Sequence, residues 1–168
     1  MASRDDNVIP IPLPPRGEPH PRIARMIAYW REIAPGPGLL PGKQHFDPMR
    51  VPDLLPNLWL LEVAREDDRL RYRIRLVGDA LIDSGAPFRK GLFMEDLGDQ
   101  IDQAQAKAVH DRVVETRQPD WRRGAPIVKH LKFIALLERV MLPLAADGQA
   151  VDHILAMTLF YQMDGRVI

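Results

Sequence analysis

Ten consecutive residues, RLRYRIRLVG from Arg69 to Gly78, alternate without a break: Arg69, Arg71, Arg73 and Arg75 on one parity, Leu70, Tyr72, Ile74 and Leu76 on the other. Only an extended strand turns successive side chains to opposite faces, so the pattern demands a β-strand with one wet side and one buried side. A helix is excluded, because period 2 would scatter the guanidinium groups around its whole circumference. The apolar run from Leu58 to Arg65 precedes this strand, and the polar REDDR stretch links the two. Strands joined by so short a polar link form an antiparallel hairpin. Prolines at 48, 52 and 56 confine the chain ahead of Leu58 to turns.

The flanking segments are helical or extended by the same criteria. Residues 1–19 hold five of the 16 prolines without periodic patterning, which predicts a flexible Pro-rich tail. Ile23, Met26, Ile27, Trp30 and Ile33 recur at helical spacing, giving a leading helix and a Pro/Gly linker over 20–38. Its apolar stripe must be buried, on its own domain or in a dimer. Residues 79–97, punctuated by Gly85, Pro87, Gly91 and Gly98, suit brief helical turns. Asp99 is the expected cap of a longer helix running to about Arg117, with Ala106, Val109 and Val113 on its apolar side. From Asp120 the chain is strand-like three times over, the last two strands divided by the turn ADGQ. Five antiparallel strands with helices on one face and a leading N-terminal helix make an α+β fold.

Charge and composition exclude several functions. Lys+Arg and Asp+Glu both number 23, so the net charge is zero, which disfavours nucleic acid as a partner. The absence of cysteine removes disulfides, thiolate catalysis, Cys-based metal sites and cysteinyl-flavin chemistry. No window approaches the roughly 20 apolar residues of a membrane span, and no signal peptide is evident, so the expectation is a cytoplasmic protein. Serine occurs only at 3 and 84 and threonine only at 116 and 158, and no Gly-x-Ser-x-Gly surrounds Ser84. The histidines at 20, 45, 110, 130 and 153 form no His-x-x-x-His pair, so no metal site is expected. These absences point to a protein that is not an enzyme. Residues 117–132 hold five basic side chains and 95–102 four acidic ones, either solvated faces or docking sites for a partner or an anionic messenger.

The blocks PGKQHFDPMRVPDLLPNLWLLEV, RYRIRLVGDALIDSGAP and RVMLPLAADGQAVDHILAMTLFY span about Leu40 to Tyr161. Together they resemble a bacterial family of stand-alone PAS-like proteins, found largely in alphaproteobacteria and formerly described only as a domain of unknown function. The resemblance is most specific in the Pro-Asp-x-x-Pro-x-Leu-Trp-Leu lead-in and in the Leu-Pro-Leu hairpin. It implies a PAS-like domain over 39–163, with the Arg-striped strand at a sheet edge and any ligand between the long helix and the sheet. Charge on an edge strand discourages unwanted pairing, and the arginines are expected to face Glu62 or its neighbours rather than phosphate.

The residues expected around such a ligand are Tyr72, Ile74 and Leu76 on the second strand and Trp59 and Leu61 on the first, with Leu58 and Leu60 as the alternative parity. Val109, His110 and Val113 on the helix and Met157 and Leu159 on the last strand complete the candidates. Some PAS sensors ligate haem through a histidine on this helix, which makes His110 a candidate haem ligand; no cofactor is required by the sequence. The function expected is a sensory or regulatory module that binds a small ligand or relays a signal to a separate signalling protein, as a homodimer. The alternative is an interaction scaffold with a filled core and no ligand, since a sheet and a helix bury apolar faces in either case.

Overall fold

In the computed structural model, which describes residues 17–131 and 133–168, the Arg-striped segment is the edge of a five-stranded antiparallel sheet. The strands are β1 (Leu58–Glu66), β2 (Arg69–Val77), β3 (Asp120–Gly124), β4 (Ile134–Leu144) and β5 (His153–Gln162), in the order β2-β1-β5-β4-β3. This is the α+β arrangement expected. The Pro-rich tail expected over 1–19 lies, up to residue 16, outside the described residues. No helix among the described residues is long and apolar enough to cross a membrane.

The β1–β2 link is a two-residue turn in which Asp67 and Asp68 both adopt positive φ, 48° and 59°. Such turns match the right-handed strand twist, and aspartate tolerates the left-handed region better than most residues. Glu62 pairs with Arg73 in register, and the Glu62 carboxylate accepts from Arg75 Nε at 2.7 Å. Arg71 binds Glu66 at 2.7 Å and Glu95 at 2.6 Å, and its guanidinium lies 3.7 Å from the Phe93 ring centroid. Arg71 and Arg75 are thus held in cross-strand and edge ion pairs, and the Arg73 guanidinium lies 4.6 Å from the same Phe93 ring centroid.

The alternation of β2 breaks near its end. Leu60 pairs with Leu76 but Leu61 pairs with Ile74, so Arg75 is an extra residue, a β-bulge. One inserted residue flips the parity of everything beyond it. Ile74 is fully buried facing the helices, whereas Leu76 is 48% exposed on the opposite side. Gly78 follows, where a Cβ would stand 2.3 Å from the Pro56 carbonyl oxygen, so the strand can leave the sheet only through glycine.

Two layers cover the sheet. On the inner face lie α2 (Asp79–Asp83), the 3₁₀ segment Met94–Gln100 and α3 (Gln103–Thr116), burying Leu81, Leu97, Val109 and Val113 against Leu61, Ile74 and Ile154. On the outer face lies α1 (Pro21–Glu32), with Ile23, Met26 and Tyr29 buried against Val140, Met157 and Tyr161. Trp30 Nε1 donates to the Pro143 carbonyl at 2.9 Å, anchoring the C-terminal end of α1. The α3 cap is Asp102, which accepts from Gln105 N at 3.0 Å, rather than the expected Asp99. Asp99 belongs to the preceding 3₁₀ segment, and Ile101 is held extended by a bridge to Val128.

Candidate functional site

A row of polar residues crosses the inner face where an apolar sheet would be expected. Arg122 on β3 pairs in register with Arg139 on β4, which pairs with Thr158 on β5. Thr158 Oγ1 accepts from Trp59 Nε1 at 3.1 Å, extending the row to β1. Asp120 accepts from Arg139 Nη2 at 2.7 Å and from Arg112, which reaches down from α3. Arg139 is 4% exposed, and its burial pulls the guanidinium below the usual arginine value despite the Asp120 carboxylate beside it.

His110 hangs from α3 above this row and is 1% exposed. Its ring lies 4.8 Å from that of Tyr72 and 6.5 Å from that of Trp59, centroid to centroid. Burial, with Arg139 nearby, pushes its pKa down to about 3, so the imidazole is neutral across the physiological range. Tyr72 donates its hydroxyl to Asp111 at 2.6 Å, and burial together with that carboxylate raises the phenol pKa. The helix and the row enclose a cavity of about 30 Å³, lined by His110, Trp59, Arg122, Arg139 and Thr158 with apolar walls that include Phe88 and Phe160. Phe88 stacks on Trp59 at 4.9 Å.

Seven buried side-chain polar atoms among the described residues have no hydrogen-bond partner, and four belong to residues lining this cavity: His110 Nδ1 and Nε2, Arg122 Nη1 and Arg139 Nε. Folded proteins satisfy nearly all buried polar groups, and each one left bare costs about 1–3 kcal/mol. Their concentration at one place marks the cavity as the candidate site.

The structure brings Trp59 and His110 to the cavity, sets Tyr72 against the His110 ring in an adjoining groove, and places Leu61, Ile74, Val109 and Val113 in the surrounding inner core. It places three predicted residues elsewhere. Leu76 faces outward because of the bulge at Arg75. Met157 and Leu159 also lie on the outer face, beneath α1, while Ile154, Ala156 and Phe160 of the other parity look inward. The reason is that α1 and α3 cover β5 from both sides, so the strand is apolar on both parities and alternation cannot mark a face. Sequence reasoning missed Arg122, Arg139 and Thr158. A signal was present in the paired charges Glu138 and Arg139 inside an apolar strand, which must send one charge to each face.

The outward charge, Glu138, is fully buried. It accepts from His20 N at 2.7 Å, Tyr161 Oη at 2.7 Å, Trp121 Nε1 at 2.8 Å and Arg123 Nε at 3.3 Å. Burial works against the carboxylate charge, but these donors outweigh it and hold the pKa below the ordinary glutamate value. Glu138 thus fastens the N-terminus of α1 to the sheet.

A family model described as a PAS domain matches residues 18–159. The chain belongs to the PAS domain family. No curated protein matches it. As a PAS domain it is of a kind that serves as a sensory or interaction module. His110 also lines a more open groove of about 470 Å³, together with Leu70, Tyr72, Lys107 and Asp111. No group of three or more potential metal ligands occurs among the described residues. The PAS domain also carries a groove of about 540 Å³ on its outer face, lined by Leu60, Leu76, Leu155, Phe46 and Pro52. It is open because α1 covers β4 and β5 and stops short of β2.

Proposed function

We propose that this PAS domain is a non-enzymatic sensory module that takes a small ligand into the cavity beside His110 and passes its state across β4 to α1. The observation that carries this reading is the cluster of four unpartnered nitrogens at one interior cavity. Relay follows from strand geometry. Arg139 faces the cavity and the next residue, Glu138, holds the first turn of α1, so a shift of one side chain along β4 is felt by the other. Output then passes to a separate protein through α1. In a thermal-melt screen of small metabolites, a true ligand at about 100 times its Kd raises Tm by roughly 5–10 °C and shifts the Trp59 indole signal. A panel that moves neither leaves the scaffold reading in its place.

The scaffold reading is favoured by a different observation, the outer groove with its exposed Leu76. Under it the groove seats a second copy of the chain, and light scattering gives a dimer that Leu76→Glu converts to monomer. A wild-type monomer at high concentration removes this reading.

A further inference from the structure

We propose that the interior site takes a compact planar oxyanion of about three or four heavy atoms, whose oxygens accept from Arg122 Nη1 and Arg139 Nε. This rests on the sensory reading above and specifies its ligand. The first argument is donor chemistry. Guanidinium groups donate and never accept, so the two arginine nitrogens at the cavity can be satisfied only by an acceptor. Neutral His110 adds one further N–H and one lone pair.

The second argument is charge. Arg112, Arg122 and Arg139 converge on this end of the sheet, and Asp120 divides its carboxylate between Arg112 and Arg139. Among the described residues Arg122 has only the Ala125 carbonyl, to which Nη2 donates at 2.8 Å. Three guanidinium groups against the one Asp120 carboxylate leave two positive charges over; Arg112 is half-exposed to solvent, and a monoanion neutralises the charge left in the interior. Two guanidinium edges side by side suit two oxygens held in one plane.

The third argument is size. A water needs about 10–15 Å³ of cavity, so about 30 Å³ leaves room for a group the size of formate, acetate or nitrate. The Phe88 and Phe160 walls accommodate a methyl or a bare anion edge. Short carboxylates and inorganic planar oxyanions share this chemistry.

The test is an NMR titration of the full chain with sodium formate, acetate and nitrate, ionic strength held constant with sodium chloride, and with acetamide as the neutral counterpart of acetate. Saturable shifts of the Trp59 indole and His110 ring signals are expected with the oxyanions and not with chloride or acetamide. Whether the carboxylates or nitrate bind more tightly identifies the source. Arg122→Gln weakens binding at least about 10-fold, the loss of one charge-assisted hydrogen bond, and Arg122→Lys retains part of it, with unchanged circular dichroism in both. Acetamide binding as tightly as acetate, or unaltered oxyanion binding by Arg122→Gln, overturns the anion assignment and leaves the sensory cavity standing. Silence of the Trp59 signal toward every oxyanion, acetamide and the metabolite panel overturns both.

Discussion

Replacing Glu138 by alanine is expected to lower the unfolding free energy by about 3–5 kcal/mol, measured by urea denaturation at neutral pH. The carboxylate is fully buried and accepts from His20 N, Tyr161 Oη, Trp121 Nε1 and Arg123 Nε. Truncation strands the tyrosine and tryptophan donors in an apolar layer and removes the acceptor that fastens α1. Glu138→Gln keeps the shape and one acceptor oxygen, so it loses less, and the difference between the two variants measures the charge. The pH dependence has a definite sign. The folded pKa lies below the ordinary glutamate value of 4.5, so this contribution is present above that value and is lost as pH falls through the folded pKa. A Glu138→Ala protein as stable as wild type would show that α1 is held by its apolar face alone.

The second large effect concerns His110. Its folded pKa of about 3 lies below the unfolded value of 6.5, so on acidification the unfolded chain takes the proton first. Stability from this residue is complete above pH 6.5 and falls by about 1.4 kcal/mol per pH unit below it, until the folded pKa is reached. Arg139 and Lys107 oppose protonation and Asp111 favours it, and burial dominates all three. His110→Leu deletes that slope, so the stability difference between variant and wild type grows steadily from pH 6.5 to pH 5. That difference isolates His110 from His20, whose pKa burial also lowers. At pH 8 without ligand the variant gains about 1–3 kcal/mol, because a leucine of similar size leaves no bare nitrogen. It also loses the ligand response, the usual exchange of activity for stability at a functional site. Parallel pH profiles of the two proteins would place the His110 ring in contact with solvent.

Much of this fold was legible because its edges are amphipathic. The strict period of β2 declared a half-buried strand, and the Ile23, Met26, Trp30 spacing declared α1. The inward side of Tyr72 and Ile74 followed from the parity of β2, whereas parity on β1 left Trp59 and Leu58 as alternatives that the sheet's two covering layers decide. Legibility failed at β5, where Ile154 through Tyr161 is buried on both faces and carries no periodic signal. It failed again at Leu76, because a bulge depends on how β1 and β2 register rather than on the residues of β2 alone. The polar row escaped notice because Arg122, Arg139 and Thr158 lie on three strands and meet only when the sheet pairs them.

The sequence by itself determined the α+β layout, the hairpin that begins at Leu58, the wet and dry sides of β2 up to Ile74, and the absence of cysteine chemistry. These are local properties, decided by the steric period of a strand or helix and by which atoms the side chains possess. Only the tertiary structure decided that Glu138 and Arg139, neighbours in one strand, serve opposite faces, one clamping α1 and one facing a cavity beneath His110. Burial made that distinction: the charges are costly in a dry interior, so their function is set by which partners the sheet and its two covering layers bring within hydrogen-bond reach.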